Sequence, residues 1–464
     1  RPPTLETRLP KDCLITIEKN WPEQTVQKCA ADFVQRTDDC EMKDAGMFEL
    51  LNQCRSCEST DLRNVLSHGD VPLADKFLSE AALSQPEPRF PLNVAFCGDC
   101  SLVQIRETVA PDVLFGNDYP YFSSFSPAWV EHCRRNADEL IESRELNTDH
   151  LVIEIASNDG YMLRNFHDRG IPTLGIDPVP GPAAAAEKLG IPTLREFFGA
   201  QLAKNLTAEG TSADVILGNN VLAHVADLSG FVRGIKTLLK PDGVAVIEAP
   251  YVRDLIDHCE FDTIYHEHLC YFSVTALNRL FVDRGLCLSE VRRLPTHGGS
   301  LRLYIQHGSK HSEQVCQILD EETKAGIDSV AYYESFAERV AGLQQDLVAL
   351  LEQLRSAGKT IAGYGAAAKG TTLLNASSVS SKHLDFIVDR NVHKHGHYMP
   401  GLRTPIFETE RLLTEQPDYV LLLAWNFKDE IIRQQSEYLR RGGQFIVPVP
   451  KVRIIDGIRD MSAA

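Results

Sequence analysis

The stretch Leu151-Val-Ile-Glu-Ile-Ala-Ser-Asn-Asp-Gly160 has the pattern of a βα unit: a short apolar strand, a turn of small polar residues and a helical pattern from Tyr161. Such a turn lets the backbone approach a ligand at the carboxyl end of a strand. About twenty residues later a second strand, Thr173-Leu-Gly-Ile-Asp177, ends in a carboxylate, the usual partner of ribose hydroxyls. The predicted ligand-binding residues are Glu154, Ser157, Asn158, Asp159, Gly160 and Asp177.

The chemistry of this turn favours one class of cofactor over others. It lacks the G-x-G-x-x-G spacing of dinucleotide folds, and no G-x-x-x-x-G-K-[ST] follows it. The sequence of this turn therefore does not predict a phosphate-binding loop. A nucleoside with a cationic tail, S-adenosylmethionine, fits the carboxylates better than NAD or ATP. An ordinary βα turn with incidental polar residues is the alternative.

Composition limits the classes of function. The chain has 464 residues, of which 43% are hydrophobic and 24% charged, so it can form two or three domains. A net charge of −17 argues against a nucleic-acid or anionic-membrane partner, but it allows an anionic small substrate in a local basic pocket. No apolar run approaches the roughly 20 residues that span a bilayer. We expect a cytoplasmic protein.

The cysteines indicate a metal site. Two close pairs, Cys54-Arg-Ser-Cys57 and Cys97-Gly-Asp-Cys100, each supply two thiolates from one tight turn, which suits tetrahedral Zn²⁺. We predict a structural zinc with ligands Cys54, Cys57, Cys97 and Cys100. His68 replacing one thiolate, and unligated or redox-active cysteines, are the alternatives.

Strands and helices then alternate as in a doubly wound sheet. A fourth strand at 214–218 leads to Asn219 and Asn220, which we add to the cofactor site, and to His224. A fifth strand covers 243–248, and late strands at 286–291 and 301–306 predict a terminal antiparallel hairpin. Ligands in such sheets bind beyond the carboxyl ends of the strands, where these polar residues fall.

The flanking segments complete a five-part organisation. A helical pattern follows the core, and a second α/β unit begins with the glycine turn Gly363-Tyr-Gly-Ala-Ala-Ala-Lys-Gly370, a candidate anion site or, alternatively, half of an NAD site. The predicted parts are an extension of unknown role (1–45), a zinc-binding domain (46–115), a methyltransferase domain (116–310), a helical bridge (311–358) and a C-terminal Rossmann-like domain (359–464).

The densest group of titratable residues is Tyr265-His-Glu-His-Leu-Cys-Tyr-Phe-Ser273. The histidines are two apart, so the H-E-x-x-H zinc motif is excluded. A histidine beside a carboxylate and a tyrosine is a good general base near neutral pH. One of the two histidines is expected to line the site while the other packs behind it. The alternative is that these polar residues have only a structural role, as a hydrogen-bonded cluster where two domains meet.

The motifs together resemble the nucleotide-sugar C-methyltransferase family, which methylates C-3 of TDP-linked 4-keto deoxysugars. The resemblance covers roughly residues 50–455 and rests on several motifs in one order. They are the four cysteines, Glu-Ile-Ala-Ser-Asn-Asp-Gly, Tyr-His-Glu-His-Leu-Cys-Tyr, Thr-His-Gly-Gly-Ser-Leu-Arg, Gly-Tyr-Gly-Ala-Ala-Ala-Lys-Gly, the Val-Asp-Arg-Asn to Tyr-Met-Pro-Gly segment and Leu-Ala-Trp-Asn-Phe. It implies an α/β fold: a class I methyltransferase Rossmann-like core, flanked by a small N-terminal zinc-binding domain and a C-terminal Rossmann-like domain that holds the nucleotide sugar instead of NAD.

The resemblance also implies roles for particular residues. His268 is the expected base that removes a proton next to a ketone, and the enolate then attacks the methyl group. Tyr265 and Glu267 would orient the base or bind the sugar, and His224 would contact the keto or enolate oxygen. His297, Arg302, Lys369 and Tyr398 are candidates around the sugar pyrophosphate, and Tyr119 and Tyr121 lie in an aromatic loop that could close over a ligand.

Other functions stay open at this stage. Methyl transfer to oxygen or nitrogen needs no carbon acid. An NAD-linked oxidoreductase would use the Gly363–Gly370 turn, and a zinc-ribbon adaptor would carry a degenerate enzyme core. Motifs do not identify the sugar, the nucleotide, the face of methyl delivery or the oligomeric state.

Overall fold

The computed structural model describes residues 47–114, 122–308 and 310–456, without the side chains of residues 111, 112 and 297. The predicted extension and the predicted ligands Tyr119 and Tyr121 lie outside the described residues. The strands are β1 (Phe48–Leu50), β2 (Leu62–Val71), β3 (Phe90–Cys97), β4 (Val103–Ile105), β5 (Glu107–Val109), β6 (Val152–Ile155), β7 (Thr173–Ile176), β8 (Thr193–Leu194), β9 (Ala213–Asn219), β10 (Leu239–Pro250), β11 (Cys270–Tyr271), β12 (Leu286–Leu294), β13 (Ser300–His307), β14 (Ile361–Tyr364), β15 (Phe386–Val388), β16 (Ile406–Phe407), β17 (Tyr419–Leu422), β18 (Gln444–Val447) and β19 (Arg453–Ile455).

Helices connect and cover these strands. They are α1 (Pro111–Leu114), α2 (Pro127–Ser143), α3 (Arg164–His167), α4 (Pro180–Lys188), α5 (Ala200–Ala208), α6 (Leu228–Leu238), α7 (Val252–Asp257), α8 (Val274–Val282), α9 (Glu313–Ala325), α10 (Val330–Ser356), α11 (Ala368–Ala376), α12 (Arg411–Glu415), α13 (Lys428–Gln434) and α14 (Ser436–Arg440). None of the helices in the described ranges combines the length and the apolar composition that crossing a bilayer needs.

The central sheet has seven strands in the order β12-β13-β10-β9-β6-β7-β8. All neighbours are parallel except β13, which runs antiparallel to both β10 and β12. The predicted doubly wound sheet and its terminal antiparallel hairpin are confirmed. Since β6 is central and the chain turns to β7 on one side and β9 on the other, the ends of β6, β7 and β9 form a crevice at the switch point.

The helical pattern after the core forms two helices, α9 and α10. Helix α9 ends at Gly326, whose φ of +78° is the left-handed conformation that commonly terminates a helix. Helix α10 then runs for 27 residues, and its apolar spacing buries residues such as Val340, Leu347 and Leu351.

The described residues form three further sheets, of which the smallest is the antiparallel pair of β1 and β5. The N-terminal cysteine region forms a four-stranded sheet in the order β11-β4-β3-β2, and its outer strand, β11, comes from the Tyr265–Ser273 stretch. The C-terminal unit has six strands in the order β16-β15-β14-β17-β18-β19, parallel except for β19. Because β11 is shared, the cysteine region and the central unit are joined by backbone hydrogen bonds.

Candidate active site

The turn after β6 has an unusual backbone. Ala156 and Asn158 adopt φ values of 56° and 49°, and Gly160 adopts 78°. The left-handed conformation favours glycine at position 160, and a Cβ there would lie 2.6 Å from Cδ1 of Ile191, which would have to move. These left-handed residues fold the turn tightly across the carboxyl end of β6.

Asp177 holds this turn in place. Its two carboxylate oxygens accept hydrogen bonds of 2.8 Å from the backbone N–H groups of Asn158 and Val179. Burial raises the pKa of Asp177, although those two N–H groups oppose the shift. Asp177, which we predict to bind the ribose hydroxyls, therefore also fixes the conformation of the turn after β6.

Several buried polar atoms face this crevice without a hydrogen-bond partner among the described residues. They are Oγ of Ser157, Oδ1 of Asp159 and Oδ1 of Asn219. Burial raises the pKa of Glu154 well above its usual range, and the carboxylates of Asp177 and Asp159 add to the shift. Orphaned acceptors are costly unless a ligand supplies donors. The amine and hydroxyl groups of S-adenosylmethionine are such donors, so the donor set fits this cofactor.

The loop before α2 closes one side of the crevice. The backbone N–H of Ser123 donates to Oδ1 of Asn158 at 2.9 Å, and the Ser124 hydroxyl donates to Oδ2 of Asp159 at 2.5 Å. Asn220, at the end of β9, has a φ of 54° and donates its backbone N–H to Glu248. Sequence reasoning placed Ser124 only in a general aromatic and hydroxyl-rich loop, because its partner Asp159 is distant along the chain.

His268 is held by two hydrogen bonds in the Tyr265–Ser273 stretch. Its Nδ1 lies 2.8 Å from the carbonyl oxygen of Thr263, and its Nε2 lies 2.9 Å from the hydroxyl of Tyr265. A carbonyl can only accept, so Nδ1 carries the proton and Nε2 is the basic nitrogen. The ring of His224 stands edge-on to that of His268, with centroids 4.9 Å apart.

His268 is also tied to the cofactor crevice. The backbone N–H of Leu269 donates to the carbonyl of Ala223 at 2.7 Å, and Ala223 belongs to the loop that follows β9. The same strand ends at Asn219, which contacts the Tyr161 hydroxyl at 3.4 Å. The residues predicted for cofactor and for catalysis thus meet at one edge of the central sheet.

The two histidines of the stretch have different surroundings. His266 is 1% exposed, its Nε2 donates to the carbonyl of Pro91 at 3.0 Å, and its ring packs on Phe90. Burial lowers the pKa of His266 to about 4. His266 is therefore a core residue between the two sheets, whereas His268 lies on the crevice side.

The buried neutral state of His266 predicts a pH dependence of stability. Its pKa falls from 6.5 in the unfolded chain to about 4 in the folded protein, so its contribution is present above pH 6.5 and lost as the pH falls toward 4. At about 1.4 kcal/mol per pKa unit, the wild type should lose up to about 3 kcal/mol more than His266→Asn over that range. Urea unfolding at several pH values measures this difference. His68 and His224 contribute equally to the pH dependence of the wild type and of His266→Asn, so their contributions cancel in the difference. Parallel stability profiles of the two proteins would contradict the buried neutral state of His266.

The carboxyl group of Glu267 is buried and is affected by a second carboxyl group. It is 7% exposed, and burial together with the carboxylate of Asp75 raises its pKa to about 8. Asp75 lies far away in the sequence, and the motif gave no sign of it. A carboxyl with this pKa is largely protonated at neutral pH.

The four cysteines form one cluster. Their sulfur atoms all lie within 4.8 Å of one another, with 3.5 Å between Cys54 and Cys100 and 3.6 Å between Cys57 and Cys97. A Zn–S distance of about 2.3 Å places the sulfurs of a tetrahedral site about 3.8 Å apart. The donor set and its spacing therefore fit Zn²⁺. His68 packs on Phe261 and takes no part in the cluster.

The cysteine sheet supports the catalytic stretch directly. Strand β11 pairs with β4 through Cys270–Gln104 and Tyr271–Val103, and the backbone N–H of Ile105 donates to Leu269 at 3.0 Å. Cys97 and Cys100 lie at the end of β3 and in the turn that leads to β4. The turn that carries Cys97 and Cys100 and the strand that follows His268 thus belong to one hydrogen-bonded sheet.

Arg302 and Lys369, which we predict to contact the sugar pyrophosphate, each lie close to a buried carboxylate. Arg302 donates its Nε–H to Glu248 at 2.7 Å, and its side chain is only 7% exposed. Lys369 lies 3.7 Å from Glu260 and above the ring of Trp425, whose N–H donates to Asp262. Both cations lie near interior carboxylates, although Nζ of Lys369 makes no hydrogen bond to any described residue. Their contact with a pyrophosphate stays a prediction.

The remaining substrate candidates are less defined. Tyr398 pairs through its backbone with Leu78, at 2.8 and 3.0 Å, and its side chain is half-buried. His297 belongs to a short 3₁₀ turn, Thr296–Gly298, but its side chain lies outside the described atoms. Their roles stay predictions.

Comparison with known families divides the chain into three matched parts. Residues 54–115 match a zinc binding domain, residues 129–291 match a methyltransferase domain, and residues 295–450 match a C-methyltransferase C-terminal domain. The first match contains all four clustered cysteines. The second contains the cofactor turn and the Tyr265–Ser273 stretch.

The chain is also similar to individual known proteins. C-methyltransferase NovU from Streptomyces niveus is 36% identical over 408 residues, which cover 87% of this chain and 97% of that enzyme. A ubiquinone biosynthesis O-methyltransferase from Azorhizobium caulinodans is 26% identical over 97 residues, 21% of this chain and 38% of that enzyme. Magnesium protoporphyrin IX methyltransferase from Synechocystis, solved with bound S-adenosylmethionine, aligns over 39% of this chain and 79% of its own at 13% identity and a TM-score of 0.30.

The near full-length match to a C-methyltransferase agrees with three features described above. They are the crevice at the end of β6, His268 beside strand β11, and the zinc-binding domain with its four cysteines. The chain belongs to the C-methyltransferase family and is an S-adenosylmethionine-dependent methyltransferase.

Proposed function

We propose that the enzyme methylates a carbon next to a ketone, namely C-3 of a TDP-linked 4-keto deoxysugar. The observation that carries this proposal is the fixed tautomer of His268, which presents a basic Nε2 beside the cofactor crevice. Methyl transfer to carbon needs a base that removes a C–H proton, whereas transfer to a neutral amine does not. The near full-length match to a C-methyltransferase supports the same reaction class.

The proposed steps use this chain's own groups. The substrate C–H proton passes to Nε2 of His268, and the C–H electron pair forms the enolate. The Tyr265 hydroxyl now bonds to Nε2, so it must release that nitrogen, and the substrate oxygen is an acceptor to which it can turn. S-adenosylmethionine, when bound, supplies the electrophilic methyl group. Holding the enolate carbon in line with it provides much of the remaining acceleration.

We assign His224 to the keto or enolate oxygen. Burial lowers its pKa to about 4, so it is neutral at pH 7. A neutral imidazole carries one N–H donor, and the backbone carbonyl of Glu267 accepts it in this structure. This N–H must leave that carbonyl to bind a developing oxyanion, which it can do without neutralising the base. Glu154, Ser157, Asn158, Asp159, Gly160, Asp177, Asn219 and Asn220 are the proposed cofactor residues.

We also propose the domain limits given above and a nucleotide-sugar site that includes the C-terminal unit. The crevice at the carboxyl ends of β14 and β17 lies at the switch point of that sheet, which supports a ligand site there. A half-Rossmann NAD site in the same place would make the protein an oxidoreductase. O- or N-methylation of a small molecule is the second candidate, favoured by the short match to an O-methyltransferase.

Two measurements test the proposal. Thermal melting should rise with S-adenosylhomocysteine and with TDP but not with NADH, since a ligand that binds only the folded state stabilises it. TDP-linked 4-keto deoxysugars in D₂O should then exchange hydrogen for deuterium at C-3 in the presence of S-adenosylhomocysteine, and gain a C-methyl group with the methyl donor. Stabilisation by NADH alone, or a methyl group found on oxygen or nitrogen, would overturn it.

A further inference from the structure

The two cysteine pairs lie in turns with the same backbone hydrogen bond. In the first turn (residues 54–57) the carbonyl of Cys54 accepts the N–H of Glu58 at 2.9 Å. In the second turn (residues 97–100) the carbonyl of Cys97 accepts the N–H of Ser101, also at 2.9 Å. Glu58 and Ser101 both adopt a φ of 63°. Residues at corresponding positions of the two turns are therefore structurally equivalent.

One arginine from the matched methyltransferase domain binds each turn. Arg284 donates from Nη2 to the carbonyl of Ser56 at 2.5 Å, and Arg279 donates from Nη1 to the carbonyl of Asp99 at 3.0 Å. Ser56 and Asp99 are equivalent, because each directly precedes the second cysteine of its pair. Arg279 lies on α8, and Arg284 lies two residues after the end of that helix. One helix end therefore holds both halves of the cysteine cluster at matching points.

Arg279 binds the second turn through a single nitrogen. Its Nη1 donates to the Asp99 carbonyl and also to the hydroxyl of Ser101, which lies 2.8 Å away. Ser101 is the left-handed residue that follows the turn, so both contacts fix the same short piece of backbone. A lysine ammonium carries three donors at one point, so it can make both of these hydrogen bonds in place of the guanidinium.

Arg284 uses all three of its nitrogens, each for a different acceptor. The acceptors are the carbonyl of Ser56, the carbonyl of Leu280 at 3.0 Å and the hydroxyl of Ser229 at 3.3 Å. Leu280 belongs to α8 and Ser229 to α6, so the guanidinium joins the first turn to two helices of the core. A lysine has its donors at one point and cannot reach three separate acceptors, whereas the planar guanidinium can.

Helix α8 also begins at the Tyr265–Ser273 stretch. The hydroxyl oxygen of Ser273, the last residue of that stretch, accepts the N–H of Ala276 at 3.0 Å and caps the helix. The other end of the helix carries Arg279 and is followed by Arg284. The helix is therefore anchored at its start to the stretch that contains the proposed base and at its end to the cysteine turns.

We propose that Arg279 and Arg284 are positioning residues of the zinc site, and that the site retains zinc tightly only while the two cysteine turns are docked on the end of α8. Four thiolates around one Zn²⁺ carry a net negative charge, which the two guanidinium groups offset. Groups that orient metal ligands without binding the metal commonly change metal affinity by about 10- to 100-fold. This inference goes beyond the proposed function and does not depend on the identity of the substrate.

The rate of zinc release tests this assignment. The whole zinc-loaded chain is mixed with the chromophoric chelator 4-(2-pyridylazo)resorcinol, and the absorbance of the chelator complex is followed. Arg279→Met and Arg284→Met should each release zinc about 10- to 100-fold faster than wild type. Arg279→Lys should stay within about threefold of wild type, whereas Arg284→Lys should release zinc as fast as Arg284→Met.

The matched control is Arg63→Met. The guanidinium of Arg63 lies beside Gly98 of the second turn but donates only to Asp61 among the described residues, so this variant loses a nearby charge and no contact with a turn. It should release zinc at the wild-type rate. Equal affinity for S-adenosylhomocysteine in all variants shows that the central sheet is folded.

The two lysine variants keep the positive charge, so their different release rates test the donor geometry even where a methionine variant loses stability. Zinc release at the wild-type rate in either methionine variant would overturn the inference. So would retention of zinc by Arg284→Lys at the wild-type level. Equal acceleration in Arg63→Met would also overturn it, since any lost cation would then be sufficient.

Discussion

Replacing His268 with alanine should lower the rate of methyl transfer by a factor of about 10² to 10⁴, the contribution usually made by a general base. The reason is the defined role of its two nitrogens: Nδ1 donates to the carbonyl of Thr263, which leaves Nε2 as the basic atom. Affinity for S-adenosylhomocysteine should stay within a few-fold of wild type, since the cofactor turn depends on Asp177 and Gly160 instead. The rate is measured with a keto sugar, and affinity by calorimetry.

The matched control for this variant is His266→Asn, which removes a titratable histidine two residues away. His266 contacts only the zinc-binding domain through Pro91 and Phe90 among its described partners, so its loss should reduce stability far more than turnover. Deuterium exchange at the substrate carbon should disappear in His268→Ala and persist in His266→Asn. Exchange at the wild-type rate in His268→Ala would show that another group is the base.

Loss of the zinc site is expected to have the second large effect. Replacing Cys97 with serine removes one of four thiolates from a cluster whose sulfur spacing matches tetrahedral Zn²⁺. Apparent binding free energies for structural zinc are about 10–16 kcal/mol, comparable to the whole stability of a domain. We expect zinc content to fall well below one ion per chain and methyl transfer to fall by at least about 100-fold, although we assign no chemistry to the metal.

The route of this effect is the shared sheet. Strand β11 follows His268 directly and pairs only with β4 among the described strands, and β4 follows the Cys97–Cys100 turn. When the turn unfolds, His268 loses the strand that positions it. Cofactor affinity should be reduced much less than turnover, because the crevice belongs to the central sheet. Cys316→Ser, which replaces an exposed cysteine on α9, is the control and should change neither quantity. Full activity in zinc-free Cys97→Ser would contradict the sheet-mediated coupling.

Local patterns in the chain were sufficient to predict much of this protein. The central sheet followed from alternating apolar runs and small polar turns, whose periods are set by strand and helix geometry. The zinc cluster followed from two C-x-x-C pairs, because each pair supplies ligands from a single turn. Those signals depend on residues close together in sequence, and the structure agrees with both.

Motif reading also placed the catalytic and cofactor stretches at one sheet edge, and it named Arg302 and Lys369 as candidates around a pyrophosphate. It could not show the carboxylates beside them. Glu248 and Glu260 lie more than fifty and more than one hundred positions away in the chain. Such ion pairs depend on packing between distant segments, so a local pattern does not predict them.

Three features therefore required the tertiary arrangement: the different surroundings of His266 and His268, the strand that joins the catalytic stretch to the zinc sheet, and the carboxyl pair of Asp75 and Glu267. Each depends on groups brought together from distant parts of the chain. Protonation state and burial depend on those neighbours, since desolvation and nearby charge, not residue type, shift a pKa. The sequence was enough to predict the reaction class and the metal, while the division of roles among the titratable groups followed from how the sheets pack.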